Sequence, residues 1–117
     1  MTATAFLQLA IDLHQRGDYA GAQVHCEHAL TFSGTPESVT CDLWDVLGSA
    51  QRDAGDLAAA RVSYGRALDI RRRLFGDESP QVATVLSNLG VLEHRAGRNA
   101  EAIALLSPAE PAQRRPQ

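Results

Sequence analysis

Residues 43–68, LWDVLGSAQRDAGDLAAARVSYGRAL, read as two helices joined by a tight turn. Trp44, Leu47, Gln51 and Ala54 recur at spacings of three and four, which places them on one helical face. Gly55 ends that helix, because glycine adopts the left-handed conformation of a helix C-terminus without steric cost. Asp56 follows as the N-cap of a second helix, its carboxylate positioned to accept from a first-turn amide. The second helix carries Leu57, Ala60, Tyr64, Ala67 and Leu68 on one face. Gly48, Ala60 and Ala67 are small where two backbones must approach, so the ridges of the two helices can interlock. The stretch predicts a helical hairpin.

The same arrangement recurs on both sides. Moved forward by 42 residues, it returns as Leu86, Leu89, Gly90, Gly97, Ala102, Leu106 and Ala109. Moved back by 38, it returns as Phe6, Leu9, Ala10, Gly17, Ala22, Cys26 and Ala29. An ordinary alanine-rich bundle has no reason to repeat both its glycine turn and its small-residue seam. The spacing Trp44-x2-Leu47-Gly48, then Gly55-Asp56, then Ala60-x3-Tyr64-x2-Ala67-Leu68 resembles the tetratricopeptide repeat, with Gln51 standing where that family usually has an aromatic. The spacer DIRRRLFGDESP, residues 69–80, is longer than the usual repeat of about 34 residues allows. It predicts a second helix running past Leu68, a break at Gly76, and a new start with Ser79 as N-cap and Pro80 in the first turn. This spacer is similar to that of the longer repeats of kinesin light chains and many bacterial regulators.

The resemblance implies an all-α fold, a right-handed superhelical α-α solenoid of three helical hairpins. The repeats would occupy about residues 3–36, 37–78 and 79–109 of one domain, 1–109, followed by a proline-rich polar tail, 110–117. Three hairpins are about the minimum that stacks into a stable solenoid. The last helix, from Asn99 to about Ser107, would be cut short by Pro108.

Composition narrows the function. The net charge of −3 gives no drive toward nucleic acid, and the basic run Arg71-Arg72-Arg73 has Asp69, Asp77 and Glu78 beside it. That run reads as a solvated helix C-terminus complementing the helix dipole. No apolar run is long enough to span a bilayer, and the N-terminus lacks the basic region of a signal peptide, so a cytoplasmic location is expected. All eleven basic residues are arginine and alanine is abundant, the mark of a GC-rich genome. Cys26 and Cys41 suit a reducing compartment, with Cys26 expected as a small buried residue on the seam. His25-Cys26-Glu27-His28 carries zinc-ligand residue types, but Cys26 would face the seam and the histidines away from it, so no metal is expected. No nucleophile motif, phosphate-binding glycine loop or zinc-hydrolase signature appears, and the chain reads as a non-enzyme without a cofactor. The one catalytic grouping to test is a pocket uniting His14, Asp45 and His94.

The resemblance implies that function lies on the concave surface, lined by the first helix of each hairpin. Its candidate groove residues are Thr4, Leu7, Ile11, His14 and Gln15 from the first repeat, Asp42, Asp45, Ser49, Arg52 and Asp53 from the second, and Thr84, Ser87, Asn88, Val91, His94 and Arg95 from the third. The expected partner is a peptide or helix of another protein, held by apolar anchors and by a basic residue opposite Asp42 and Asp45. Asn88 matches an asparagine that the family uses to hold a ligand's backbone amide. The carboxylate clamp of chaperone-type members would need Lys, Arg and Asn where this chain has Leu7, Ile11, Val46, Thr84 and Asn88, and only the last fits. The alternative function is self-association: Ile103 and Leu106 would form an uncapped apolar edge able to join two copies or a larger regulator.

Overall fold

The computed structural model describes residues 1–105, with side chains through Arg98. Five helices follow one another: α1 (Ala3–Gln15), α2 (Tyr19–Ala29), α3 (Glu37–Asp53), α4 (Leu57–Phe75) and α5 (Pro80–Leu105). No strand occurs among the described residues.

The two hairpin turns are built alike. Gly17 and Gly55 take φ of 86° and 95°. The Gly17 amide donates to the His14 carbonyl and the Gly55 amide to that of Arg52, each at 3.0 Å. The next amides, of Asp18 and Asp56, reach back to the Leu13 and Gln51 carbonyls at 2.8 Å. This pair of bonds satisfies carbonyls that a helix end otherwise leaves open. The same aspartates then cap the following helices, accepting from Gly21 N at 2.9 Å and Ala59 N at 3.2 Å. A Gly-Asp dipeptide therefore closes one helix and opens the next, which fixes the hairpin angle locally.

The hairpins stack through two apolar clusters. Leu7, Ala10, Ala22, Cys26, Ala29, Leu43, Leu47 and Ala50 join α1, α2 and α3. Ala60, Tyr64, Ala67, Leu68, Val82, Val85 and Leu92 join α4 to α5, and Trp44 of α3 touches both clusters. Inside the second hairpin the fully buried Tyr64 ring packs against Gly48, where an added methyl would stand 2.9 Å from two ring carbons. The small-residue seam predicted from sequence is this contact. Gln51, the non-aromatic departure from the repeat pattern, is buried and accepts from Ser63 Oγ at 2.6 Å, so the seam carries a satisfied polar pair there.

The long spacer behaves as read. α4 runs to Phe75, Gly76 turns the chain at φ 87°, and Ser79 Oγ accepts from Val82 N at 3.2 Å as α5 begins at Pro80.

The third repeat departs from expectation. α5 continues unbroken through Gly97 to Leu105, so no turn separates a sixth helix beginning at Asn99. Gly97 lacks the positive φ of Gly17 and Gly55, and no Asp follows it; Arg98 stands where Asp18 and Asp56 cap the other hairpins. Without that cap the glycine alone does not enforce a turn, and the helix propagates. The seam residues of α5 stay open as a result. Leu86 is 46% exposed, and a methyl added at Gly90 would meet nothing within 4 Å. Leu106 and Pro108 lie outside the described residues, as does the side chain of Ile103.

Candidate functional site

The inner faces of α1, α3 and α5 meet side by side, and the polar residues there are bonded mainly to one another. On α3, Asp53 is the hub at the turn end. Its Oδ2 lies 2.8 Å from His14 Nε2 of α1, and its Oδ1 accepts from Arg52 Nε at 3.1 Å and from Arg95 Nη1 of α5 at 3.3 Å. Burial pushes the Asp53 carboxyl up, but the hydrogen bonds from Arg52 and His14 and their charges outweigh it and hold the group below its ordinary value. One carboxylate thus ties all three first helices together.

A second hub sits two turns earlier. Asp45 accepts from Asn88 Nδ2 of α5 at 3.2 Å and lies 3.3 Å from Arg71 Nη2 of α4. The same nitrogen donates to Asp42 Oδ1 at 2.9 Å, while Arg71 Nη1 donates to the Gln81 carbonyl at 3.3 Å. Burial raises the Asp45 carboxyl above its ordinary value despite Arg71 and Asn88. Ser49 Oγ lies 2.8 Å from the Tyr64 hydroxyl, giving the buried phenol its partner.

These contacts revise several sequence readings. Leu7 is 6% exposed and packs in the α1–α3 core, so it lines no groove. Arg71 is no solvated helix end: its side chain is 10% exposed and pairs with both Asp42 and Asp45 from within the fold. Those two aspartates therefore share one internal cation, and Asp42 stays half exposed. Asn88, read as a holder of ligand backbone, is engaged by Asp45. His25 is half-buried and His28 exposed, with ring centroids 5.9 and 4.9 Å from that of Phe6. Among the described residues no three His, Cys, Asp or Glu side chains cluster as metal ligands, and both cysteines are unpaired and buried.

Most of the remaining groove residues fall into three depressions. Ile11, His14, Asp45 and Ser49 line one of about 140 Å³ with Gln15 and Val46. Asp42 and Thr84 line another of about 280 Å³ beside Arg71 and Phe75. Arg52 and Arg95 line a third of about 340 Å³ with Asp53, Gly55, Leu57 and Arg98. Val91 shares the α5 stripe of Thr84, Asn88 and Arg95 and is 45% exposed. His14 and Asp45 share a depression but His94 does not line it, so the suspected catalytic trio is not assembled.

A family model described as tetratricopeptide repeat matches residues 39–114, and a second of the same description matches residues 2–33. The chain belongs to the tetratricopeptide repeat family. No curated protein and no solved structure matches it. Tetratricopeptide repeats generally mediate protein–protein interaction. In this tetratricopeptide repeat chain no helix among the described residues is long and apolar enough to cross a membrane.

One residue that matters at this face was read from sequence only by its place, and two more escaped that reading. Asp53 gave no signal beyond its place on the inner stripe of α3, although its register (i+4 from Ser49) already faced it toward α1 and α5. Arg71 was hidden inside an arginine run whose three members go to different places: Arg71 inward, Arg72 to Asp77 at 3.3 Å, and Arg73 to Glu37 at 2.8 Å. A helix register extended from Leu68 puts residue 71 on the same buried face, which was the available clue. Arg98 joins the third depression only because α5 stays straight past Gly97.

Proposed function

We propose that this tetratricopeptide repeat domain is a non-catalytic adaptor whose concave face binds a peptide or helix of a partner protein. The observation that supports this most is the convergence of Ile11, His14, Asp45, Val46 and Ser49, from two separate hairpins, on one depression. Ile11 and Val46 supply apolar contact, and Ser49 and Gln15 supply hydrogen bonding beside it. The hubs at Asp53 and Asp45 pre-organise the face, so little ordering is spent when a partner docks. On this reading the site comprises Ile11, His14, Ser49, Arg52, Thr84, Val91 and Arg95, with Asp42, Asp45 and Asn88 as its internal framework.

The test is selection of binding peptides from a random displayed library, followed by affinity measurement on variants. Val91→Glu, on the concave stripe, weakens the selected peptides at least about tenfold on this reading. Val24→Glu, on an exposed face of α2, leaves them unchanged. Peptides that ignore Val91→Glu and Ile11→Ala alike would exclude the concave face.

A second reading, self-association, is favoured by one observation. Leu86 and Gly90 of α5 carry the repeat's seam pattern yet have no helix upon them among the described residues. In this reading a second copy covers that face. Mass by light scattering from low to high micromolar concentration shows a dimer that Leu86→Lys dissolves; a monomer throughout rejects it.

A further inference from the structure

We propose that the depression lined by Arg52, Arg95 and Arg98 binds an acidic group of the partner segment: a phosphorylated side chain or a pair of adjacent Asp or Glu carboxylates. The inference rests on the reading that the concave face takes a protein segment, and it fixes the sign of that segment's charge.

Three guanidinium groups border this 340 Å³ depression, against the single carboxylate of Asp53. Each guanidinium offers about five N–H donors in a planar fork. Asp53 engages only a minority of them, through Arg52 Nε and Nη2 and Arg95 Nη1, and it shares its Oδ2 with His14. Arg95 Nη1 also donates to the Arg52 carbonyl at 3.5 Å. Arg98 makes no ion pair among the described residues. The Asp56 carboxylate, next along the chain, is turned to the Ala59 amide as an N-cap. The local charge therefore remains positive after the pairings among the described residues are counted.

The contrast with the other end of the face sharpens the argument. There one arginine, Arg71, meets two aspartates, so that end keeps a net acidic charge. The concave side is thus acidic at that end and basic at its turn end. A cleft walled by protein concentrates such a field. Arginine forks match the paired oxygens of a phosphate or carboxylate with two parallel hydrogen bonds. Asp53 holds Arg52 and Arg95 in place, so the forks are oriented before a ligand arrives. None of the positions that carry the carboxylate clamp in chaperone-type members (Leu7, Ile11, Val46, Thr84, Asn88) lines this depression.

The experiment titrates the full chain with three blocked peptides of one frame, Ac-Ala-Ile-Ala-X-X-Ala-NH₂, in which X-X is phosphoserine-Ala, Glu-Glu or Lys-Lys, and with inorganic phosphate. Amide NMR shifts of Gly55 and Leu57 report the depression, and those of Ile11 and Val91 report the rest of the face. The phosphoserine and Glu-Glu peptides move Gly55 and Leu57, the Lys-Lys peptide does not, and Arg98→Gln weakens the acidic peptides about tenfold. Arg98→Lys keeps part of the affinity. A phosphoserine peptide at least about tenfold tighter than Glu-Glu assigns the group as a phosphate; equal affinities assign it as carboxylate. Acidic peptides that leave Gly55 and Leu57 unmoved, a Lys-Lys peptide that binds equally, or Arg98→Gln without effect would each overturn the inference. Shifts confined to Ile11 and Val91 defeat the acidic-site inference and leave the concave-face reading standing. Shifts confined to Gly55 and Leu57 uphold the acidic site and restrict the docked segment to that end of the concave face.

Discussion

The Tyr64 ring lies so close to Gly48 that a single added methyl would stand 2.9 Å from two of its carbons, whereas Gly90, at the matching place one repeat later, faces open space. The two glycines share a sequence context and differ only in what covers them. Gly48→Ala forces the Tyr64 ring off its seat and the Ser49 hydroxyl off its bond. The expected cost is about 1–3 kcal/mol of stability, as for other overpacked sites. Gly90→Ala instead gains up to about 1 kcal/mol, because an open helical position simply prefers alanine. Urea denaturation of both variants decides the matter: a loss at Gly90 comparable to that at Gly48 means the third hairpin closes in solution.

Arg71 is the internal counter-ion of Asp42 and Asp45. Arg71→Met keeps the stem but leaves Asp45, whose side chain is 18% exposed, without its cation. Fully buried pairs cost about 3–5 kcal/mol when one partner is removed; with Asp42 half exposed, about 2 kcal/mol is expected here. Adding Asp45→Asn to Arg71→Met restores part of that loss. A double-mutant cycle showing no coupling would mean that the three groups do not meet as described.

The two hub aspartates respond oppositely to acid. Asp53 has its folded-state carboxyl lowered, so its contribution is complete above the unfolded value of about 3.9 and fades as pH falls through the folded value. Asp45 has its folded-state carboxyl raised, so the native chain gains stability relative to the Asp45→Asn variant as pH falls through that higher value. Denaturation curves between about pH 2 and pH 6 test this. Relative to Asp53→Asn the native protein loses its advantage toward acid; relative to Asp45→Asn it improves. Parallel pH profiles for the two variants would contradict the assignment.

Both cysteines are shielded. Burial pushes the Cys26 thiol up to about 12, with Glu27 adding to it, and burial also raises Cys41. The thiolate is the reactive form, so neither residue reacts readily with a disulfide reagent at neutral pH in the native state. The expected labelling rate follows the unfolding equilibrium and rises with urea together with the loss of helical signal. Prompt labelling of Cys26 in native protein would mean that the α1–α2 seam opens locally.

The local rules of the chain determined most of the helices. Gly-Asp at residues 17–18 and 55–56 closes one helix and caps the next through bonds spanning at most five residues, so these turns were readable directly. The small residues facing Tyr64, the break at Gly76 and the start at Ser79-Pro80 were readable for the same reason: each depends on neighbours in sequence. The third turn was misread because Gly97 carries the glycine without the aspartate, and half of a local signal does not stop a helix.

The inner face was only half legible. Helical register identified which stripes of α1, α3 and α5 look inward, but it mistook Leu7 for a groove residue, since stacking of α3 on α1 covers it. Register also cannot say which charges cancel. His14 and Asp53 are 39 residues apart, Asn88 and Asp45 are 43 apart, and Arg71 reaches Asp42 across 29. Pairings at such separations depend on how whole hairpins stack, and the sequence lists the charges without pairing them. The sequence by itself determined a tetratricopeptide architecture and the stripes that face inward, because capping and periodicity are short-range. Only the tertiary structure decided that Asp42 and Asp45 share Arg71 and that an arginine cluster gathers beside Asp53, because electrostatic balance is a property of groups brought together by folding.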